Sequence, residues 1–343
     1  MNARMSGPNV LPRPYLLFLG DTTVPGFAKT AFGLKDWAPE FCIGEFALSG
    51  ATVTTGLPRL TPRAAHELGA RSLVIGVASV GGSLSEHWIG ALIEALEAGL
   101  DIVSGMHTRL SSLPHLEAAV RRTGRRFIEV RQSPANLPVG TGRKRSGKRL
   151  LTVGTDCALG KKYTALALAR AFQEQGVATD FRATGQTGIM IAGSGIPMDA
   201  VISDFLAGAA EILSPDAAPD HWDVIEGQGS LLHPAYAGVS LGLLHGSQPD
   251  VIVICHEPGR IDMLGTANYT LPTLTETVEM NLRLARRTNP AARCGGISLN
   301  TSALSTDETL AALLAAERET GLPAADPMKA GGALDRLVSS CLG

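Results

Sequence analysis

From Leu150 to Gly176 a short apolar run, a glycine-bearing loop and an amphipathic helix follow one another without a break, and few folds accept that order. Leu150–Val153 reads as a buried strand. From Lys161 onward the apolar residues Leu166, Leu168, Ala169 and Phe172 recur at roughly helical spacing until Gly176 closes the element. The loop between strand and helix, Gly154-Thr-Asp-Cys-Ala-Leu-Gly-Lys161, has the layout of a phosphate-binding loop. Such a loop aims successive backbone N–H groups and the positive end of a helix dipole at one anion, while a lysine reaches the outer phosphate oxygens. Gly154, Thr155, Asp156, Cys157, Ala158, Leu159, Gly160, Lys161, Lys162, Tyr163 and Thr164 are therefore the candidate cofactor-binding residues. The position after the lysine usually carries a hydroxyl that ligates magnesium. Here it is Lys162, so the loop is expected to hold phosphates without a metal, a second lysine supplying the positive charge.

The chain of 343 residues is long enough for two ordinary domains. Hydrophobic residues at 45%, charged residues at 18% and 39 glycines fit a compact α/β protein. A formal net charge of -2 gives no global attraction to nucleic acid or an anionic membrane, so an anion site must be local. Arg4 and Arg13 precede the apolar segment Tyr15–Leu19, which is too short for a secretory core, and no apolar run approaches a membrane span. A cytoplasmic homo-oligomer acting on a small molecule is the expectation. Cys42, Cys157, Cys255, Cys294 and Cys341 are scattered singly, suggesting neither a disulfide framework nor structural zinc.

Between Ser133 and Arg149 several prolines and glycines accompany the basic cluster Arg143, Lys144, Arg145, Lys148 and Arg149. This composition break sets the domain boundary, giving residues 1–138 and 139–343. The cluster reads as a solvated linker or, by its nearness to the loop, as cations for a second phosphate. Before the break, Tyr15–Leu19, Ser72–Val77, Asp101–Val103 and Phe127–Val130 read as buried strands, with helices over Glu86–Ala98 and His115–Arg122. That alternation predicts an open parallel sheet, Rossmann-like in topology. Gly81-Gly82 follows a strand, but no Gly-x-Gly-x-x-Gly supports a dinucleotide. After the break, strands are expected at Val177–Ala183, Val224–Ile225, Val251–Cys255 and Gly296–Leu299, with helices around Leu271–Arg287 and Asp307–Thr320.

Ligands of open α/β sheets bind beyond the carboxyl ends of the strands. Thr184-Gly-Gln-Thr-Gly188, Ile225-Glu-Gly-Gln-Gly-Ser230, His233-Pro-Ala-Tyr236 and Cys255-His-Glu-Pro-Gly-Arg260 occupy such places. The order of Gly-Thr-Asp-x-x-x-Gly-Lys, Gln-Thr-Gly and Glu-Gly resembles the dethiobiotin synthetase group of P-loop proteins. More closely, Gly154–Lys161, Ala183–Gly188 and Ile225–Ser230, together with Gly33-Leu-Lys-Asp-Trp37 and Asp101-Ile-Val-Ser-Gly105, resemble the DgcN family of D-glutamate N-acetyltransferases. The resemblance covers nearly the whole chain. It implies acetyl transfer from acetyl-CoA to the amine of D-glutamate or a similar amino acid, on a P-loop fold. Rival readings are an ATP-dependent ligase of the dethiobiotin synthetase kind, in which Thr155 or Thr164 would replace the missing magnesium hydroxyl, and a nucleotide-sensing module without chemistry.

Acyl transfer to an amine needs a base, a donor for the oxyanion and anchors for the acceptor's carboxylates. Glu226 at a strand end is the first candidate base, and its alternative role is to hold backbone N–H groups of the glycine-rich turn. His233, Lys162 and Glu45 complete the candidate catalytic set, with His245 and His256 as further histidines. Arg182 and Arg260 are the candidate carboxylate anchors, beside Thr184, Gly185, Gln186, Thr187 and Gly188, with Lys29 and Arg109 of the first domain in reserve.

Overall fold

Parallel strands with apolar residues on both faces must be covered on both faces, and the chain meets that requirement twice. The structure is a computed structural model that describes residues 10–77, 84–266 and 268–343; Arg4 and the Gly81-Gly82 pair lie outside them. It divides into two compact units. One comprises the chain up to Pro134 together with Gly185–Pro197, and the other comprises Ala135–Thr184 and Met198–Gly343.

In the first unit β1 (Tyr15–Gly20), β2 (Cys42–Ala47), β3 (Ser72–Ile75), β4 (Asp101–Ser104) and β5 (Phe127–Glu129) form a parallel sheet in the order β2-β1-β3-β4-β5. Every residue of β1 is buried, as a central strand covered on both sides demands. The helices α1 (Lys29–Trp37), α2 (Pro62–Glu67), α3 (Ile89–Glu97) and α4 (Pro114–Thr123) run between the strands. Thr61 caps α2 through its side chain, and Gly124 ends α4 in the left-handed conformation that glycine adopts without strain. The doubly wound, Rossmann-like topology is as expected, with β2, α1 and α2 added to the elements read from sequence.

The second unit carries β6 (Lys148–Gly154), β7 (Thr179–Arg182), β8 (Trp222–Ile225), β9 (Val251–His256), β10 (Arg293–Leu299) and the short β11 (Ala324–Ala325), all parallel in the order β11-β10-β9-β6-β8-β7. Its helices are α5 (Lys161–Glu174), α7 (Leu206–Leu213), α8 (Ala237–Ser247), α9 (Leu274–Ala285), α10 (Thr306–Thr320) and α11 (Gly332–Leu342). Leu168 and Phe172 of α5 pack on Leu150, Trp222, Val224, Val251 and Val253, with the Phe172 and Trp222 rings edge to face at 5.4 Å. β6, β8 and β9 thus point their carboxyl ends at one crevice, where the strand order reverses about β6.

One element changes the domain assignment expected from composition. The Gln186-Thr-Gly188 motif does not form a loop but opens a helix, α6 (Gln186–Ala192), within a segment that belongs to the first unit. The chain leaves the second unit after Thr184 and rejoins it at Met198, whose N–H donates to the Thr184 carbonyl at 2.9 Å and closes the neck of the excursion. In the first unit α6 contacts α1, where Thr187 Oγ1 lies 3.2 Å from Thr30 Oγ1.

The basic cluster is solvated only in part: Arg143, Lys144 and Lys148 are exposed, and two of its arginines are not. Arg145 and Arg149 are buried, and their guanidinium groups donate to backbone carbonyls: Arg145 to Ser214, Gly246 and Ser247, and Arg149 to Arg145, Ser146, Gly147 and Pro215. Arg143 and Lys144 pair with Asp216 and Asp250. Arg149 lies at the start of β6 and the phosphate loop follows its end, so at about 3.3 Å per residue the two are on the order of 20 Å apart.

Helix α8 escapes a sequence reading because Gly238, Gly242 and Gly246 make it look like a loop. Two of the three glycines are there for packing. A Cβ at Gly242 would stand 2.6 Å from the Leu206 Cβ, and one at Gly246 would stand 2.2 Å from the Ala207 carbonyl oxygen, so α7 and α8 approach through bare backbone. At Gly238 an added Cβ meets nothing within 4 Å. Gly246→Ala is therefore expected to lower unfolding free energy by about 1–3 kcal/mol through overpacking. Gly238→Ala should be neutral or raise it by up to about 1 kcal/mol, because alanine is the better helix former. Denaturant midpoints at constant m-value measure both; equal effects of the two substitutions would contradict this packing.

Candidate active site at the phosphate loop

The loop after β6 is shaped by close backbone approaches. Thr155 N–H donates to the Cys255 carbonyl at 3.1 Å, and a Cβ at Gly154 would come within 2.9 Å of that same oxygen. Beneath it, the buried Thr152 hydroxyl accepts from Gly227 N–H at 2.9 Å and lies 3.2 Å from the Lys161 carbonyl, joining β6, the turn after β8 and the start of α5. Gly227 has no room for a side chain, since its Cβ would fall 1.6 Å from the Thr152 carbonyl oxygen. Ala158 and Gly160 adopt left-handed φ values of 54° and 103°, a conformation that is strained for alanine and free for glycine. No side chain caps α5. The positive end of its dipole therefore meets the loop, as the strand, loop and helix order predicts.

Lys161 is buried and donates from Nζ to the Asp156 carbonyl at 2.6 Å across the loop. Burial pushes its pKa below the ordinary lysine value. The Lys162 ammonium sits 4.4 Å from the centre of the Tyr163 ring. Thr164 is turned into the sheet, where its hydroxyl lies 2.7 Å from Ser298 Oγ and accepts from the Cys255 thiol. Burial raises the pKa of the Cys157 thiol above its ordinary value, against the nearby Lys161 charge that lowers it.

Asp156 is fully buried and fixes the loop to the segment that follows β9. It accepts from Cys157 N–H at 2.6 Å, from Arg260 Nη1 at 3.0 Å and from Leu264 N–H at 2.7 Å. Arg260 Nη1 also donates to the Cys157 carbonyl at 2.9 Å, and Nη2 pairs with Glu257. Arg260 was expected to anchor a substrate carboxylate; its charge instead answers that of Asp156. His233 belongs to the same network. Its Nδ1 accepts from Ala235 N–H at 3.1 Å, which leaves the proton on Nε2, and Nε2 lies 3.3 Å from the Leu264 carbonyl and 3.8 Å from Asp156 Oδ1. With both ring nitrogens engaged and 2% of its surface exposed, His233 has no lone pair to offer as a base. Asp156, Cys157 and His233 present donor atoms within 4.8 Å of one another, yet the acid and the imidazole already carry these hydrogen bonds.

Glu226 follows β8 at the crevice and is buried. Its carboxylate accepts from Thr184 N–H at 3.0 Å while the Thr184 hydroxyl donates to the Glu226 carbonyl at 2.6 Å. Gln228 Nε2 donates to the Thr184 hydroxyl at 3.0 Å. The backbone N–H on the Glu226 carboxylate is that of Thr184, just past the end of β7. Arg182 is taken up by acids: Nε donates to Asp223 at 2.7 Å and a terminal nitrogen to Asp180 at 3.1 Å, with His221 Nε2 3.3 Å from Asp223, an arrangement within the sheet rather than a substrate anchor. Gly185, Gln186, Thr187 and Gly188 lie with the first unit. Glu45 also lies there, buried under bonds from Thr54 Oγ1, Thr55 N–H, Thr55 Oγ1 and Arg59. Burial works to raise the Glu45 pKa, but these donors outweigh it and hold the carboxyl low, which suits a structural carboxylate and not a base. Lys29 and Arg109 are exposed residues of the first unit. His245 lies near the far end of α8, just before β9 begins.

His256 is the residue that sequence reasoning undervalued. It is the last residue of β9, and its Nδ1 lies 3.0 Å from the Thr155 hydroxyl. The signal available in the sequence was its place at a strand end, which it shared with three other polar segments.

Models of two domains match this chain: the P-loop domain of DUF1611, a domain of unknown function, over residues 138–338, and the Rossmann-like N-terminal domain of the same family over residues 46–133. A protein of Tritonibacter scottomollicae named D-glutamate N-acetyltransferase is 47% identical over 96% of this chain and 99% of its own length. A Pseudoalteromonas protein of the same name is 47% identical over 95% of this chain and 98% of its own. The crystal structure of a DUF1611 family protein from Anabaena variabilis superposes with a TM-score of 0.84 at 32% identity, covering 96% of this chain and 99% of that one. With its phosphate loop, its two parallel sheets and full-length relatives at this identity, the chain belongs to the DUF1611 family.

Proposed function

We propose that this chain is an acetyl-CoA-dependent N-acetyltransferase whose acceptor is D-glutamate. The observation that carries the proposal is the 47% identity, over nearly the full length of each chain, to two relatives that bear that activity as their name. The loop chemistry supports the choice of donor. A site that transfers a phosphoryl group needs a metal to neutralise charge developing on the phosphate, whereas a coenzyme A site only holds the pyrophosphate and breaks no bond in it. Lys162 replaces the magnesium hydroxyl, and the two threonines that could substitute are otherwise engaged, Thr164 with Ser298 and Cys255, and Thr155 with His256. These contacts weigh against the ligase reading. Residues 154–164 cradle the pyrophosphate in this proposal, with the α5 N-terminus and Lys161 and Lys162 answering its charge. Thr184 and Glu226 keep the crevice edge in shape. The acceptor is a free amino acid, and the near-neutral charge balance agrees with a small-molecule partner. Among the described residues no helix is long and apolar enough to cross a membrane. A cytoplasmic homo-oligomer remains part of the proposal.

Two measurements test it. Release of the coenzyme A thiol from acetyl-CoA should depend on D-glutamate and survive exhaustive chelation with EDTA. Lys161→Ala should weaken acetyl-CoA binding by about 2 kcal/mol, as expected for a lost charged hydrogen bond, and Lys162→Ser should weaken it less. Activity abolished by EDTA and restored by magnesium would refute the metal-free loop.

Transfer should be direct, without an acetylated enzyme. The raised pKa of Cys157 keeps its thiol protonated near neutrality and therefore a poor nucleophile. Alkylation of Cys157 by iodoacetamide at pH 7 is expected to be slower than that of free cysteine and to accelerate above pH 9, and Cys157→Ala should retain most turnover. Acetylated Cys157 trapped by mass spectrometry, or parallel double-reciprocal plots, would contradict direct transfer.

A further inference from the structure

We propose that His256, oriented by Thr155 of the phosphate loop, is the proton-transfer residue of the acetyl transfer. This inference rests on the acetyltransferase reading and adds to it the identity of the base. Two contacts place the ring beside the loop. Backbone pairing brings Gly154 opposite Cys255, with Thr155 N–H on the Cys255 carbonyl, and the Thr155 hydroxyl meets His256 Nδ1 at 3.0 Å. His256 therefore stands at the carboxyl edge of β9, in the crevice where ligands of such sheets bind. Its other nitrogen, Nε2, has no hydrogen-bond partner among the described residues and is not sealed from solvent.

The competing groups at this edge are committed. His233 has its lone pair on Ala235 N–H, Asp156 answers Arg260, and Glu257 pairs with Arg260. The Glu226 carboxylate holds Thr184 N–H. His256 keeps a ring nitrogen open and touches the loop itself.

The charges facing the ring are Glu319 from α10, and Arg260 and Glu257 from the segment after β9, with Asp156 and Lys161 in the adjoining loop. Burial lowers the His256 pKa and Arg260 lowers it further, while Glu319 and Glu257 act to raise it; the outcome lies below the ordinary value of 6.5. The imidazole is thus neutral at pH 7, as a base must be before it acts.

In the transfer, the acceptor's ammonium loses one proton to solvent and its nitrogen attacks the thioester carbonyl. As the C–N bond forms, the second proton passes to His256 Nε2. The C–S bond then breaks with its electron pair on sulfur, and the imidazolium returns the proton to the thiolate. The products are the N-acetyl amino acid and the coenzyme A thiol. For Nε2 to hold the lone pair, Nδ1–H donates to the Thr155 hydroxyl, and Thr155 is a positioning residue that holds the ring.

The test begins with the wild-type pH profile on D-glutamate and acetyl-CoA. Its kcat/KM should fall with slope one toward acid as the acceptor's amine is protonated, and steepen to slope two at a midpoint below 6.5, since activity also needs the neutral ring. His256→Gln should lower kcat by about 10²- to 10⁴-fold and lose that steepening, with acetyl-CoA affinity by calorimetry unchanged within about threefold. Thr155→Val should lower kcat by roughly tenfold and Thr155→Ser should restore it, which examines the same pair without altering the ring. His256→Gln turning over within about threefold of wild type, or keeping the steepening, would overturn the assignment, as would a kcat loss matched by an equal loss of acetyl-CoA affinity. Wild-type protein that transfers no acetyl group would overturn the acetyltransferase reading itself, before any variant is compared.

Discussion

A carboxylate removed from water is stable only when donors surround it, and Asp156 is surrounded by three: Cys157 N–H from its own loop, and Arg260 and Leu264 N–H from the segment after β9. Removing one member of such a buried pair typically costs 3–5 kcal/mol, because the partner is left charged and unmatched. The phosphate loop is consequently not free to relax toward an ordinary strand-to-helix turn. Arg260 fastens the loop from outside through the Cys157 carbonyl, Thr152 and Gly227 fasten it from below, and Lys161 crosses it to the Asp156 carbonyl. Among the described residues, the second nitrogen of the His256 ring keeps no hydrogen-bond partner at this edge.

That arrangement separates holding from chemistry. The charged side chains expected to meet substrate, Arg182, Arg260 and His233, keep the scaffold in shape. Among the described residues, the His256 ring keeps a nitrogen open at this edge, beside the amino end of α5 where Lys161 and Lys162 begin the helix. Preorganised donors of this kind act on developing charge without having to move, and in a partly desolvated crevice each is stronger than it would be in water.

Much of this was legible in the sequence, and the boundary of legibility has a physical cause. Strand β6, the loop and α5 are contiguous, so periodicity and glycine placement displayed them directly. Both sheets followed from alternating apolar runs. Arg182 and Arg260 could not be assigned in the same way, because an arginine declares its role only through its partner, and Asp223 and Asp156 lie 41 and 104 residues away along the chain. Arg145 and Arg149 look like a solvated basic run until Ser214, Pro215 and Gly246 supply their carbonyls. Helix α8 was hidden by the glycines that let it pack. The excursion of Gly185–Pro197 into the first unit was hidden too, since the backbone bond from Met198 to Thr184 that closes it has no signature in residue type.

The central claim is that this loop binds the pyrophosphate of an acyl carrier by backbone dipoles and lysine charge, without a metal. The measurement that addresses it most directly is a calorimetric titration of the intact protein with acetyl-CoA in EDTA, set beside one with ATP and magnesium. Binding of acetyl-CoA that magnesium does not tighten, together with weak or undetectable binding of ATP, is the result the loop predicts. Tight binding of ATP that depends on magnesium, with no heat from acetyl-CoA, would contradict it.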